Sequence, residues 1–274
     1  MDIYPHLIKN GRFIAPSEAV LPLFTPALVG ALGVYETILA LHGRYIDLDA
    51  HLQRLFVSAA GAQLHLDVDI ASLARWCAQL LAANAPEGLV RVLAVDLGQP
   101  AADLFLYQMH YTAPGPQAYE QGVAVILYAG ERSLPQVKSF NTLTPGLARK
   151  AADAAGVHDA LLVDREGHIT EGTNCNLFAV AGGALLAPPV GAVLEGTVMA
   201  RTMALAAQNG IPVTRRPLPA VEIPAWEEAF LTSTRRRILP LHRIGEHTLP
   251  APGALTRRLM QAYWAWEEGE IGRA

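Results

Sequence analysis

The run Thr112-Ala113-Pro114-Gly115-Pro116-Gln117 constrains this chain more than any other stretch. It carries two prolines and a glycine in six residues and no core-forming side chain. Such a segment cannot serve a central strand or a packed helix and reads as a boundary. At 274 residues the chain is above the usual single-domain length, which suits two modest domains. We therefore expect a smaller N-terminal α/β domain over 1–113, an interdomain linker over 114–121 and a larger C-terminal domain over 122–274.

Both halves mix strand-like and helix-like runs, an α/β (α+β) pattern. Residues 3–25 read as short strands about the Asn10-Gly11 turn, with Pro16, Pro22 and Pro26 as punctuation. Gly33–Leu39 and Arg44–Ile46 read as strands. Asp47 or Asp49 can cap a helix whose Leu48, Leu52, Leu55, Phe56 and Ala59 keep a 3.6-residue period. A second helix is expected over 70–83, then strands at Val90–Val95 and Leu104–Tyr111. Past the boundary, Gly122–Ala129 reads as a buried strand. A helix is expected from about Pro145 to Gly156, and strands at Ala160–Val163 and Asn176–Val180. Then come a helix over Gly196–Asn209, strands at Ala229–Thr232 and Ile238–Leu241, and a helix over about 254–267.

Composition closes off several classes. A net charge of -4, with no basic run beyond Arg235-Arg236-Arg237, argues against a nucleic-acid partner. Apolar runs are broken well before membrane-spanning length. Cys77 and Cys175 lack CxxC or metal spacing, so no metal site is expected and a reducing cytoplasm is suited. The first ten residues, with Asp2 and Pro5, do not read as a signal peptide.

Amine chemistry has only three candidates, Lys9, Lys138 and Lys150, against eighteen arginines. Lys138 alone stands among apolar neighbours, Val137, Phe140 and Leu143. Desolvation there would lower its pKa toward that of a Schiff-base nucleophile; a surface lysine is the plain alternative. Thr170–Asn176 places Glu171 among small polar residues, as a structural loop also would. Leu194-Glu195-Gly196-Thr197-Val198 sets a glycine at a helix start, a ready anion site. Leu231-Thr232-Ser233-Thr234 ends a strand in hydroxyls. Arg54 reads either as a solvated helix residue or as an anion ligand. A lysine, a carboxylate, an arginine and helix-end donors are together what a pyridoxal phosphate enzyme requires.

Six stretches in order carry a family resemblance: GVYET (33–37), HLQRL (51–55), KSFNTL (138–143), DALLVDREGHITEGTNCNLF (159–178), LEGTVMAR (194–201) and FLTSTRRRILPL (230–241). Together they resemble the class IV aminotransferases, the fold-type IV pyridoxal phosphate enzymes. That group includes branched-chain and D-amino acid aminotransferases and aminodeoxychorismate lyases. The resemblance implies a two-domain fold with residues 122–274 as the cofactor-binding domain and the active site in the interdomain cleft. It also implies a homodimer. Position by position, Lys138 resembles the Schiff-base lysine and proton shuttle. Glu171 matches the partner of the pyridine nitrogen, and Arg54 the phosphate-binding arginine. Thr197 and Val198 match the helix-start pair at the phosphate, with Ser233 and Thr234 as its hydroxyl contacts. Leu194 resembles the aliphatic residue on the cofactor ring. Tyr35 matches an aromatic facing the substrate, and the turn at Thr234-Arg235 a carboxylate contact.

The chain also departs from the family. The usual Gly-Asp-Gly approach to the first motif is Ala31-Leu32-Gly33, an aromatic is replaced by Thr142, and Val198 replaces a helix-start threonine. The Thr-Arg-Gly of D-amino acid aminotransferases is Asp96-Leu97-Gly98. The expected activity is transfer of an amino group between an amino acid or amine and a 2-oxo acid, with pyridoxal 5'-phosphate on Lys138. A lyase eliminating pyruvate and a cofactor-binding protein of low turnover are the alternatives. Arg44, Arg235 and Arg236 are the side chains weighed as donors to a substrate carboxylate.

Overall fold

The computed structural model describes residues 2–272. They form two compact units. The first comprises residues up to Thr112 together with Gln136–Asn141 and those from Gly269 on; the second comprises Ala113–Pro135 and Thr142–Glu268.

In the first unit, strands β1 (Ile3–Lys9), β2 (Arg12–Ile14), β3 (Gly33–Leu41) and β4 (Arg44–Tyr45) precede β5 (Gly88–Val95) and β6 (Asp103–Met109). The sheet runs β2-β1-β6-β5-β3-β4 with every pair antiparallel. Helix α1 is a short turn at Pro26–Val29; α2 (Leu48–Gly61) and α3 (Ile70–Ala83) supply the apolar cover. Val34, Ile38, Val90, Val92 and Leu106 alternate toward that cover and meet Leu52, Leu55, Leu73 and Leu80 in one buried core. Residues 15–25, expected as strand, are not. Pro16–Glu18 forms a single 3-10 turn and the rest is irregular up to α1. Two prolines in this stretch, Pro16 and Pro22, withhold N–H groups a ladder needs.

In the second unit, part of the expected linker is helical: α4 spans Pro116–Gln121, with proline at its first position where no N–H is required. Strands β7 (Val123–Ala129), β8 (Asp159–Val163), β9 (Ile169–Gly172), β10 (Asn176–Ala181) and β11 (Ala184–Ala187) follow, with α5 (Leu143–Ala154) between β7 and β8. Helix α6 is Thr197–Gln208. Strands β12 (Val213–Arg215), β13 (Glu228–Ser233), β14 (Arg237–Ile244) and β15 (His247–Thr248) and helix α7 (Ala254–Gly272) complete the chain. Helix α5 starts before Pro145 because a proline is tolerated in the first turn.

The sheet order is β12-β11-β10-β13-β14-β7-β8-β9, and β9 also pairs with β10 at Glu171 and Asn176. That last pairing closes the strands from β9 to β10 into a ring. Leu177, Leu231, Leu239, Leu161 and Val125 fill one side of it, and α6 and α7 cover Phe178 and Phe230 on the other. No helix among the described residues is long and apolar enough to cross a membrane.

Candidate active site

Strand β3 organises the candidate residues of the first unit. Lys138 is bound to it through backbone: Tyr35 N–H donates to the Lys138 carbonyl at 2.9 Å, and Phe140 N–H to the Gly33 carbonyl at 2.9 Å. From α2, Ser58 Oγ accepts the Lys138 N–H at 3.1 Å. Gly33 permits this approach, since a Cβ there would lie 2.3 Å from the Phe140 ring. With its backbone committed, Lys138 places Nζ 4.8 Å from the centre of the Tyr35 ring. The other lysines are occupied elsewhere: Lys9 pairs with Asp103 at 3.2 Å, and Lys150 is exposed on α5.

Arg54 is not a solvated helix residue. Its Nε and Nη2 each lie 2.7 Å from the Glu36 carboxylate, which is fully buried. Glu36 also meets His51 Nδ1 at 2.8 Å. Burial pushes the Glu36 carboxyl up, but the Arg54 charge and the Arg54 and His51 hydrogen bonds outweigh it and hold the group well below the carboxylate range. Burial pushes His51 down, so its imidazole is neutral and donates Nδ1–H to Glu36. The sequence reading assigned Glu36 no role. Its position shares a strand face with Val34 and Ile38, both core residues, and a charge on that face requires a partner.

Arg91 was also missed. It pairs across the sheet with Thr37 and Tyr107, which puts it on the Tyr35 face of β3. Its guanidinium carbon is 4.5 Å from the centre of the Tyr35 ring, and its buried Nε finds no hydrogen-bond partner among the described residues. Leu89 and Leu93 in the opposite phase to Val90, Val92 and Ala94 were the signal. Leu97, at the position matched to the D-amino acid aminotransferase arginine, packs against the Ala27, Val95 and Phe105 cluster, while Asp96 accepts the Gly98 N–H at 2.8 Å.

In the second unit the hub is Asn176, another residue to which no role was given. Its backbone is in register with Glu171 on one side and Thr232 on the other. Its amide donates to the Leu194 carbonyl at 2.8 Å, and a Cβ on Gly196 would come within 2.1 Å of its oxygen. One residue thus gathers the ends of β9 and β13 and the start of α6. Glu171 is buried, 3.5 Å from Arg132. Leu194, Thr197 and Val198 are buried at the α6 start, whose N-cap is Gly196. Ser233 and Thr234 are half-buried on the turn leaving β13, and Arg235 is exposed. Arg236 is interior instead, paired with Asp159 at 3.0 Å, and Arg44 is exposed on β4.

The donor types suit pyridoxal phosphate: the first unit offers an amine held by its backbone and a half-buried arginine, and the second a buried carboxylate and the N-terminal end of α6.

The fold is a two-unit α/β architecture with a ring of strands in its larger unit. The sequence matches the class IV amino-transferase family over residues 33–244, and the chain belongs to that family. It is 29% identical over 269 residues to the D-alanine aminotransferase of Bacillus licheniformis, covering 93% of this chain and 95% of that one. It is 26% identical over 288 residues to the branched-chain-amino-acid aminotransferase of Escherichia coli K12, covering 95% and 92%. Among solved structures, the branched-chain aminotransferase of Thermoproteus uzoniensis superposes with a TM-score of 0.91 at 23% identity, covering 98% and 97%. The protein is a class IV aminotransferase.

Proposed function

We propose that this enzyme exchanges an amino group between an amino acid, or a simple amine, and a 2-oxo acid, using pyridoxal 5'-phosphate bound at Lys138. The observation that carries the reading is the backbone clamp on Lys138, which presents the amine beside Tyr35 while the other two lysines are engaged or exposed. When bound, the cofactor supplies a carbonyl that condenses with amines and a ring that accepts the electron pair released at the substrate α-carbon. Lys138 Nζ moves the proton on and off that carbon. Glu171 keeps a proton on the ring nitrogen. Arg54, Ser233, Thr234 and the α6 start at Thr197 and Val198 bind the phosphate, and Leu194 packs on the ring.

Tyr35 and Arg91 orient the substrate, with Arg91 as the side-chain cation for a carboxylate and the turn at Thr234-Arg235 as a second donor. The exposed apolar run Val20, Leu21, Leu23 and Phe24 supports a homodimer. Two buried free thiols, Cys77 and Cys175, suit the cytoplasm.

Borohydride treatment of the purified protein followed by peptide mapping tests the assignment. The label is expected on Lys138; a label on Lys9 or Lys150 removes the reading. Turnover of an amino donor is expected to require pyruvate or 2-oxoglutarate, and formation of product without an acceptor would favour a lyase.

A further inference from the structure

Asp159 is a fully buried carboxylate at the first position of β8. Its Oδ2 is 3.0 Å from Arg236 Nη2, and its Oδ1 accepts the Thr173 hydroxyl at 2.6 Å and the Ala160 N–H at 2.8 Å. Nothing in the reaction proposed above uses it. Burying such a charge is expensive and is offset only by full pairing.

Arg236 is held on three sides. Nη2 meets Asp159, Nε donates to His158 Nε2 at 3.0 Å, and Nη1 donates to the Asn174 side-chain oxygen. Its backbone N–H closes the turn, reaching the Ser233 carbonyl at 3.1 Å and Ser233 Oγ at 3.3 Å. The guanidinium fork therefore anchors a four-residue turn from its far end, and Ser233 and Thr234 ride on that turn. The same Arg236 and Asp159 hold Asn174 and Thr173, three and two residues beyond Glu171. A planar fork paired on three edges permits one orientation, which a point charge would not impose.

We infer that the Asp159–Arg236 pair is a positioning element for cofactor binding: it fixes the Ser233–Arg236 turn relative to the Glu171 loop, so that the turn's hydroxyls meet the phosphate while Glu171 meets the ring. This deepens the function proposed above and rests on it. It also explains why Arg236, weighed from the sequence as a substrate contact, sits in the interior.

The test is a titration of the full-length protein, stripped of cofactor, with pyridoxal 5'-phosphate and separately with pyridoxal, which lacks the phosphate. Asp159→Asn keeps the size and an acceptor for Thr173 but removes the charge; Arg236→Lys keeps the charge but removes the fork. Both are expected to weaken pyridoxal phosphate binding at least tenfold while changing pyridoxal binding less than threefold. Thr234→Val is expected to cost less in the Asp159→Asn background than in the wild type, because the misplaced turn no longer presents the hydroxyl. A purely structural pair would lower the melting temperature and weaken both ligands alike, and that outcome overturns the inference. Unchanged pyridoxal phosphate affinity in both variants overturns it as well. Failure of the wild type to bind pyridoxal phosphate would instead sink the proposed function, and this inference with it. Where Asp159→Asn fails to fold, Arg236→Lys carries the same two ligand comparisons.

Discussion

Arg54 lies edge-on against Glu36, with Nε–Oε1 and Nη2–Oε2 both 2.7 Å. The carboxylate is fully buried, so the pair fixes the guanidinium plane before any anion arrives. Arg54→Ala is expected to weaken pyridoxal phosphate retention and to destabilise the protein by about 3–5 kcal/mol, because the buried carboxylate loses its charged partner and keeps only the His51 hydrogen bond. The sign with pH follows. In the wild type the lowered Glu36 pKa contributes stability above the unfolded carboxyl's pKa, lost as pH falls through the folded value. Without Arg54, burial, the largest influence, is opposed only by His51 and raises the pKa, so the variant's deficit should be larger at pH 7 than at pH 5. Urea unfolding at the two pH values measures this, and an equal deficit would contradict the ion-pair account.

Arg91 stands 4.5 Å over the Tyr35 ring with a buried, unpartnered Nε. Arg91→Gln should lower kcat/KM for α-amino acids by about a hundredfold, roughly 2.7 kcal/mol, and spare simple amines that have no carboxylate. Equal losses for both substrate classes would make Arg91 a sheet residue only. Arg44→Ala, on an exposed edge, should lose less than about tenfold.

Glu171→Gln is expected to leave the cofactor bound but cut kcat by about a hundredfold or more, since a neutral amide cannot hold the ring nitrogen protonated. Steady-state kinetics beside cofactor absorbance separates the two effects. Near-normal turnover would assign Glu171 a structural role beside Arg132.

Ala31, where the family resemblance leads one to expect glycine, has a φ of 53°, in the left-handed region. An alanine there is strained by about 1–2 kcal/mol, partly offset by the entropy a glycine adds to the unfolded chain. Ala31→Gly should therefore stabilise by about 0.5–1 kcal/mol, read from the urea midpoint. A loss of stability would show that the alanine methyl contributes packing that outweighs the strain.

His158 accepts the Arg236 Nε–H, and burial, then the Arg236 charge, push its pKa down to about 4. The unfolded histidine takes a proton near pH 6.5. Between those values the unfolded state binds more protons, so stability rises with pH through that window and falls on acidification. His158→Gln keeps an acceptor for Arg236 and should flatten stability against pH between 6.5 and 4. A profile parallel to the wild type would place the acid sensitivity elsewhere.

The alternation of Val34, Ile38, Val90 and Val92 and the helical stripe of Leu52 and Leu55 were legible in the sequence, because strand and helix periods are local properties of the backbone. So were the six motifs and hence the family. The irregular course of residues 15–25 was less so, since short prolines-and-apolar stretches do not declare which N–H groups will find acceptors.

What the sequence determined by itself was which side chains are available: three lysines, a helix-start glycine, a carboxylate between two strands. What only the tertiary structure decided was who meets whom. Glu36 and Arg54 are eighteen residues apart, and Asp159 and Arg236 seventy-seven. Their pairing depends on strand register and helix rotation, which no local pattern encodes. The cost of burying an unpaired charge is what turned those two carboxylates from anonymous polar residues into the anchors of Arg54 and of the turn that carries Ser233 and Thr234.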